Sequence, residues 1–302
     1  MSKMKTRVES DRILELHKKY RKKNRFYVIW ERFRVNKLAV FGLILFLIIL
    51  FASIFADLLF PYEEALRQDI PQRLDSPSMQ HWLGTDGYGR DIFIRIVHGG
   101  KYSLLMGIVA VFFGLSIGSI IGATAGYYGK LYDSVIMRFT DTIQCIPFML
   151  LAMAIVAALG TGLVNVLIAL TIAFVPYFIR VIRSAVLSVT ENDFIEAAKS
   201  CGTPNRYIIL KHVLPNAVGP IIVQAATGVG AMILWASSLS YIGMGIQPPT
   251  PEWGSMLSES RQYIVSAPHT VIFPGLAIVL TVLSLNLMGD GLRDALDPRL
   301  KD

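Results

Sequence analysis

Apolar and polar positions alternate in long blocks along this chain. Leu38 to Phe60 carries no charge until Asp57, and at ~1.5 Å per residue it is long enough to cross a ~30 Å hydrocarbon layer. Pro61 ends it, and a polar connection follows. Ser103 to Tyr127 predicts a second span, dense in small residues at Gly107, Gly114, Ser116, Gly118, Ser119, Gly122 and Gly126. Small residues at these intervals let helices approach closely in lipid. No charge occurs from Thr142 to Ile179, which accommodates two further spans with a turn at Gly160-Thr161-Gly162. Pro147 and Pro176 predict local breaks in them. A fifth span runs from Ala217 to about Gly245 and a sixth from Thr270 to Met288. The pattern predicts an all-α membrane protein with six transmembrane helices. Its segments are an arm (1–37), a first span (38–60), an extracytoplasmic loop (61–102), a core of five helices (103–292) and a tail (293–302).

Composition points the same way, with 53% hydrophobic and 17% charged residues and a mean hydropathy of +0.51. The net charge of +7 is uneven. Residues 1–37 hold 13 Lys and Arg against four acids, and the rest of the chain is close to neutral, so nucleic acid is a poor explanation for the basicity. This arm is charged over too long a stretch to be a secretory signal, and it is expected to stay on the mature protein. Phe26, Trp30 and Phe33 share a helical face beside Arg25, Arg32 and Arg34, which predicts a helix lying among lipid headgroups.

Catalytic chemistry finds no footing. Gly126-Tyr127-Tyr128-Gly129-Lys130 fails as a phosphate loop, because Thr124 stands where glycine is needed and Leu131 where Ser or Thr is needed. The five histidines are scattered without metal-binding spacing, and no Gly-x-Ser-x-Gly elbow occurs. Cys145 and Cys201 suggest neither a disulfide nor a metal site. Asp86 and Asp91 could pass for a catalytic carboxylate pair, but Arg90 and Arg95 nearby favour ion-paired loop residues. The reading is a chain with no active site and no bound cofactor.

Between the fourth and fifth spans lies a short polar insert, with the loop as a whole covering residues 190–216. Thr190 or Asp193 is positioned to cap a helix in which Phe194, Ala198 and Cys201 recur at helical spacing, with Ile195 beside them. Gly202 falls where a left-handed residue would end that helix, and Thr203-Pro204 reads as an N-cap and first-turn proline of a second. Two short helices at a tight bend make a compact knob.

Glu196 to Gly202, followed by Leu214-Pro215-Asn216, resembles the EAA loop of importer-type ATP-binding-cassette (ABC) permeases. Leu83-Gly84-Thr85-Asp86 with Gly89-Arg90-Asp91 resembles the signature before the second span in C-type permeases of dipeptide, oligopeptide and nickel transporters. Asn286 to Pro298 resembles the C-terminal signature of the same group. The resemblance implies a type I importer permease fold with a cytoplasmic coupling loop. It also implies a second permease, two cytoplasmic ATPases that bind ATP and Mg, and an extracytoplasmic solute-binding protein. Within the loop, it implies that Glu196 holds the fold and the ATPase contact, that Ala197 and Ala198 allow close approach, and that Gly202 permits the bend. Phe194 and Ile195 are the expected docking face. The cargo class is dipeptide or oligopeptide, with nickel or glutathione as alternatives. A stand-alone channel or ion-coupled carrier is the alternative of another class.

Charge counting orients the chain. With the N-terminus cytoplasmic, 23 Lys and Arg lie inside and six outside, which puts the polar knob and both termini in the cytoplasm of a prokaryotic cell. Interiors of the six spans lack ionisable residues except near helix ends, at Asp57, Arg138 and Asp141, so ion coupling is not expected. Neutral polar residues, namely Ser116, Ser119, Thr124, Asn165, Ser237, Ser238, Ser240 and Asn286, are candidates for lining a path. Pro249 and the interfacial aromatic Trp253 are candidates for contact with the binding protein.

Overall fold

The structure is a computed structural model and describes residues 25–296, so the basic arm before residue 25 and the tail beyond 296 lie outside the described residues, as does the side chain of Phe26. Helix α1 (Arg25–Val35) buries Phe33 while Trp30 stacks on it from the exposed side. Asn36 then caps α2 (Lys37–Ile54), its Oδ1 accepting from the amides of Leu38 and Ala39. The first span is shorter than the expected 38–60. The chain breaks at Phe55 and continues through short helical turns at Ala56–Leu59 and Tyr62–Leu66.

Helix α3 (Ile92–Tyr128) starts well before Ser103, so residues 92–102 are helix and not loop. Asp91 caps it, accepting from the Ile94 amide, and Ile92 and Val97 are buried, which makes these early turns part of the packed body. The local break expected at Pro147 is found. Helix α4 (Lys130–Gln144) and α5 (Phe148–Leu159) meet at an 81° bend over Cys145 to Pro147. Asp133 and Asp141 pair with Arg183 and Arg180 of a later helix, which turns the polar face of α4 toward it, and Pro147 cannot continue the α4 helix. Helix α6 (Leu163–Thr190) instead runs unbroken through Pro176. Proline there forfeits one backbone bond, to Ile172, and its ring is buried against neighbours that hold the helix together.

After α7 (Asp193–Ser200) comes α8 (Asn205–Tyr241), a continuous 37-residue helix. The second helix of the knob is therefore the root of the fifth span and not a separate element. A π-helical stretch at Ile208–Val213 lies within it, where the Leu214 amide reaches back five residues to the Ile209 carbonyl. Pro215 follows at once, with no amide to donate and a ring that crowds the preceding turn, and the wider turn relieves both. Helices α9 (Trp253–Ser260) and α10 (His269–Leu296) complete the described chain, with no β-strand among the described residues.

Packing fixes which ends share a face. On α3, Gly114, Gly118, Gly122 and Gly126 recur every four residues and meet, in rising order, Phe178, Ile179, Arg183 and Val186 of α6, so the two helices run parallel. Parallel neighbours require the broken pair α4 and α5 to carry the chain back across the layer. Gly107 of α3 meets Val229 and Ile233 of α8, Gly230 of α8 meets Val282 and Leu285 of α10, and Gly42 of α2 meets Ser284 and Leu287 of α10, all antiparallel. The start of α2, the α7 bend and the end of α10 consequently lie on one face. Residues 55–91 and 242–268 lie on the other.

Candidate functional site

The α7 bend is anchored from below and bare above. Ile195 is fully buried in the main core cluster, and Ala198 packs against that cluster. Ile195 therefore holds the knob to its own chain and leaves the expected docking face; the helical stripe carried an anchor and a contact on adjacent residues. Phe194 remains 45% exposed, and Glu196, Ala197 and Gly202 are exposed beside it. Tyr207 and Leu210 are also exposed, on the first turns of α8 just beyond the bend. Their three-residue spacing was visible in the sequence, but only the continuity of α8 places them on one helix.

The bend is stiff. Gly202 adopts φ +75°. The Thr203 amide donates to the Ala198 carbonyl and the Gly202 amide to Lys199, which closes α7 with the paired bonds of a Schellman motif. Capping at the start differs from expectation. Thr190 belongs to α6 and bonds back to the Leu187 carbonyl, Asp193 is already helical, and Asn192 is the cap position, its side-chain amide donating to the Ser188 and Val189 carbonyls. Pro204, not Thr203, caps α8. A second tie reaches α3: the Tyr127 hydroxyl donates to Asn205 Oδ1 at 2.8 Å, and Lys199 Nζ sits 5.2 Å above the Tyr127 ring.

On the opposite face, residues distant in sequence form a buried ionic cluster. Arg90 Nε bonds Asp86 Oδ2 at 2.6 Å, and Glu259 receives both Arg90 at 2.9 Å and Arg95 at 3.1 Å. Asp91 pairs with His81 and caps α3. Asp86 is a structural partner of the arginines, as expected, whereas Asp91 takes a histidine and a helix amide instead of an arginine. Trp253 is 1% exposed, its indole N–H donating to the Ile96 carbonyl, so it is a core residue and not a contact for a binding protein. Its place after a proline-rich loop imitated an interfacial aromatic. Pro249 stays exposed. Glu252, unremarked in the sequence, is fully buried and accepts from the Gly254 and Ser255 amides and from Ser103 Oγ.

With this geometry in view, comparison with known proteins is decisive. The family described as binding-protein-dependent transport system inner membrane component matches residues 103–302, and the N-terminal transmembrane domain of oligopeptide transport permease C matches residues 25–77. The chain belongs to this permease family. It is 50% identical over 272 residues to the dipeptide transport system permease protein DppC of Alkalihalophilus pseudofirmus, covering 90% of this chain and 89% of the relative. It is 44% identical over 276 residues to the glutathione transport system permease protein GsiD of Escherichia coli O6:K15:H31, covering 91% of each. A chain of the MetNI methionine ABC transporter, captured in inward-facing conformations, aligns with a TM-score of 0.57 at 22% identity, covering 67% of this chain and 96% of that one. That likeness carries the fold. The permease is thus a multi-pass inner-membrane transport subunit and not an enzyme.

Among the neutral polar candidates for a path, the permease separates two groups. Ser237 and Ser240 are buried within the subunit, where the Ser237 backbone lies under Gly254 and Ser240 under Gly245. They pack the outer loop and leave the set of path candidates. Ser116 and Asn286 are exposed on the isolated permease, and Ser119, Thr124, Asn165 and Ser238 are half-buried. Several spend their hydroxyls on their own helix, Ser116 on the Phe112 carbonyl and Ser238 on the Leu234 carbonyl. Asn165 donates to the Leu159 carbonyl across the α5–α6 turn.

Proposed function

We propose that this permease forms one half of the membrane path of an ATP-driven importer for dipeptides, with the α7 bend as the lever by which a cytoplasmic ATPase moves it. One observation carries the reading: Phe194 is held out on a bend whose next residue, Ile195, is locked in the core. A partner that grips Phe194, Ala197, Tyr207 and Leu210 displaces α6 and α8 together, because α7 joins their ends. Tyr127 passes the same displacement to α3. The 23 to six excess of Lys and Arg supports a cytoplasmic bend, with both termini on that side. The ordered opposite face, with Pro249 exposed on it, is then extracytoplasmic and receives the binding protein. A second permease completes the path, and ATP and Mg are bound by the two ATPase subunits. Peptide cargo is supported by the 50% identity to a dipeptide permease, and the 44% identity to a glutathione permease favours glutathione as the second candidate.

The test is reconstitution with the permease, ATPases and binding protein encoded beside it. ATP-dependent uptake of labelled dipeptide is expected, with glutathione measured in parallel to assign the cargo. Gly202→Val should leave the subunit inserted and assembled yet abolish binding-protein-stimulated ATP hydrolysis and uptake. Normal uptake by that variant would remove the lever from the bend. Transport by the chain without any ATPase would favour a stand-alone carrier.

A further inference from the structure

The face of α4 turned toward α6 is polar at helical intervals. Asp133, Asp141 and Gln144 lie along it with Met137, opposite Arg180 and Arg183. The two arginines do different work. Arg183 grips Asp133 with both Nε and Nη2 in a half-buried pair, which clamps the broken span to α6. Arg180 reaches Asp141 through Nη2 alone, at 2.6 Å, and both side chains are more than half exposed, at 55% and 58%.

Around the second pair opens a cavity of about 610 Å³ lined by Met137, Asp141, Gln144, Cys145, Arg180 and Arg183. Gln144 is also a wall of an adjoining recess of about 210 Å³, lined by aromatic rings from Phe148, Phe174, Tyr177 and Trp235. Charge and shape are thus divided: a balanced pair of opposite charges on one side of Gln144, an aromatic hollow on the other.

We propose that these adjoining spaces are a binding station for a small zwitterionic peptide, with its carboxylate on Arg180, its ammonium on Asp141 and an apolar side chain in the aromatic recess. The inference rests on the peptide-importer reading and deepens it by naming where cargo pauses. Arg180 and Asp141 share a single bond, which leaves guanidinium donors and a carboxylate oxygen unused, so each can take up a ligand's terminus in place of the other. A guanidinium matches a carboxylate with two parallel donors, and Arg180 has donors to spare once Nη2 turns. Meanwhile Arg183 and Asp133 keep α4 in place. Two arginines facing two acids leave the site neutral overall, which fits a neutral zwitterion. A bare divalent cation would meet the arginines, and a lipid phosphate would meet Asp141. The cavity is open on one side, and its volume has room for a small peptide.

Cys145 in the cavity wall offers a direct readout. The assembled transporter, in nanodiscs without binding protein, is labelled with a small maleimide. Modification of Cys145 is followed by mass spectrometry and scaled to its complete labelling in denaturant. The dipeptide Ala-Phe is expected to protect Cys145. Acetylating its amine or amidating its carboxylate is expected to weaken protection about tenfold. Arg180→Gln should erase the difference between Ala-Phe and its amide, and Asp141→Asn the difference between Ala-Phe and its acetyl form. Equal protection of the wild type by all three forms would overturn the station, whatever the variants do. So would retained discrimination in both variants. ATP-driven Ala-Phe uptake, run alongside, separates the two failures: uptake without end-group discrimination overturns the station alone, whereas no peptide uptake overturns the function and the station together.

Discussion

Gly122 of α3 lies so close to Ile179 of α6 that a β-carbon at position 122 would fall 2.6 Å from the Ile179 carbonyl oxygen. Four residues earlier, a β-carbon on Gly118 would fall 2.5 Å from Phe178 Cβ. The parallel pair at the centre of the molecule therefore packs backbone against backbone. Gly122→Ala is expected to push the helices apart and destabilise the protein by about 1–3 kcal/mol. Gly275→Ala in α10, where an added β-carbon meets nothing within 4 Å, is expected to be neutral or to stabilise by up to ~1 kcal/mol through helix propensity. Thermal unfolding in detergent, followed by loss of the monodisperse peak, compares the two.

Ile195 and Phe194 are adjacent but should fail in different ways. Removing the buried Ile195 side chain opens a cavity at the root of the bend, and Ile195→Ala is expected to cost about 2–5 kcal/mol. Phe194→Ala removes an exposed ring, so stability should stay within about 0.5 kcal/mol while stimulated ATP hydrolysis by the assembled transporter falls. Equal loss of thermal stability in the two variants would contradict the anchor-and-contact division.

On the opposite face, Glu259 is the shared partner of Arg90 and Arg95, each no more than 2% exposed. Glu259→Gln leaves two buried guanidinium groups with Asp86 as their remaining acid. Breaking a buried pair costs about 3–5 kcal/mol, and the surviving Asp86 places this variant near the lower end. Limited proteolysis should show earlier cleavage between residues 61 and 91, because that segment is pinned to α9 through the lost acid.

How far the sequence alone could reach depends on the distance over which each feature is decided. The glycines from Gly114 to Gly126 announce themselves by a four-residue period, and Gly202 by its place between an apolar helix stripe and a proline. Both are local, and both are found as read. The break in the third span is read from Pro147, but its size is not; what holds the 81° bend is the polar face of α4 docking on Arg180 and Arg183, some forty residues away. Trp253 and Glu252 were illegible for the same reason. Their partners, Ile96 and Ser103, lie about 150 residues earlier, and only the long start of α3 brings them there. Ile195 was misassigned because periodicity says that a stripe is apolar and not which of its members the chain itself consumes.

Glu252 sets a pH dependence of its own. Burial raises its carboxyl above the ordinary 4.5, and the Gly254 and Ser255 amides, which favour the charged form, oppose that shift without cancelling it. An acid raised in the folded state binds its proton more tightly there than in the unfolded chain. Its contribution to stability is therefore fully present below the unfolded value and is lost as pH rises through the folded one. The joint between α3 and α9 should weaken with rising pH as the buried carboxylate becomes charged. Glu252→Gln removes the titration. It also leaves one of the two backbone donors without an acceptor, so the variant should start less stable at low pH and lack the decline due to this site. Unfolding temperatures measured from about pH 4 to about pH 9 for both proteins give the comparison. The difference between them should narrow with rising pH, and a constant offset would mean that Glu252 is already ionised in its buried site throughout.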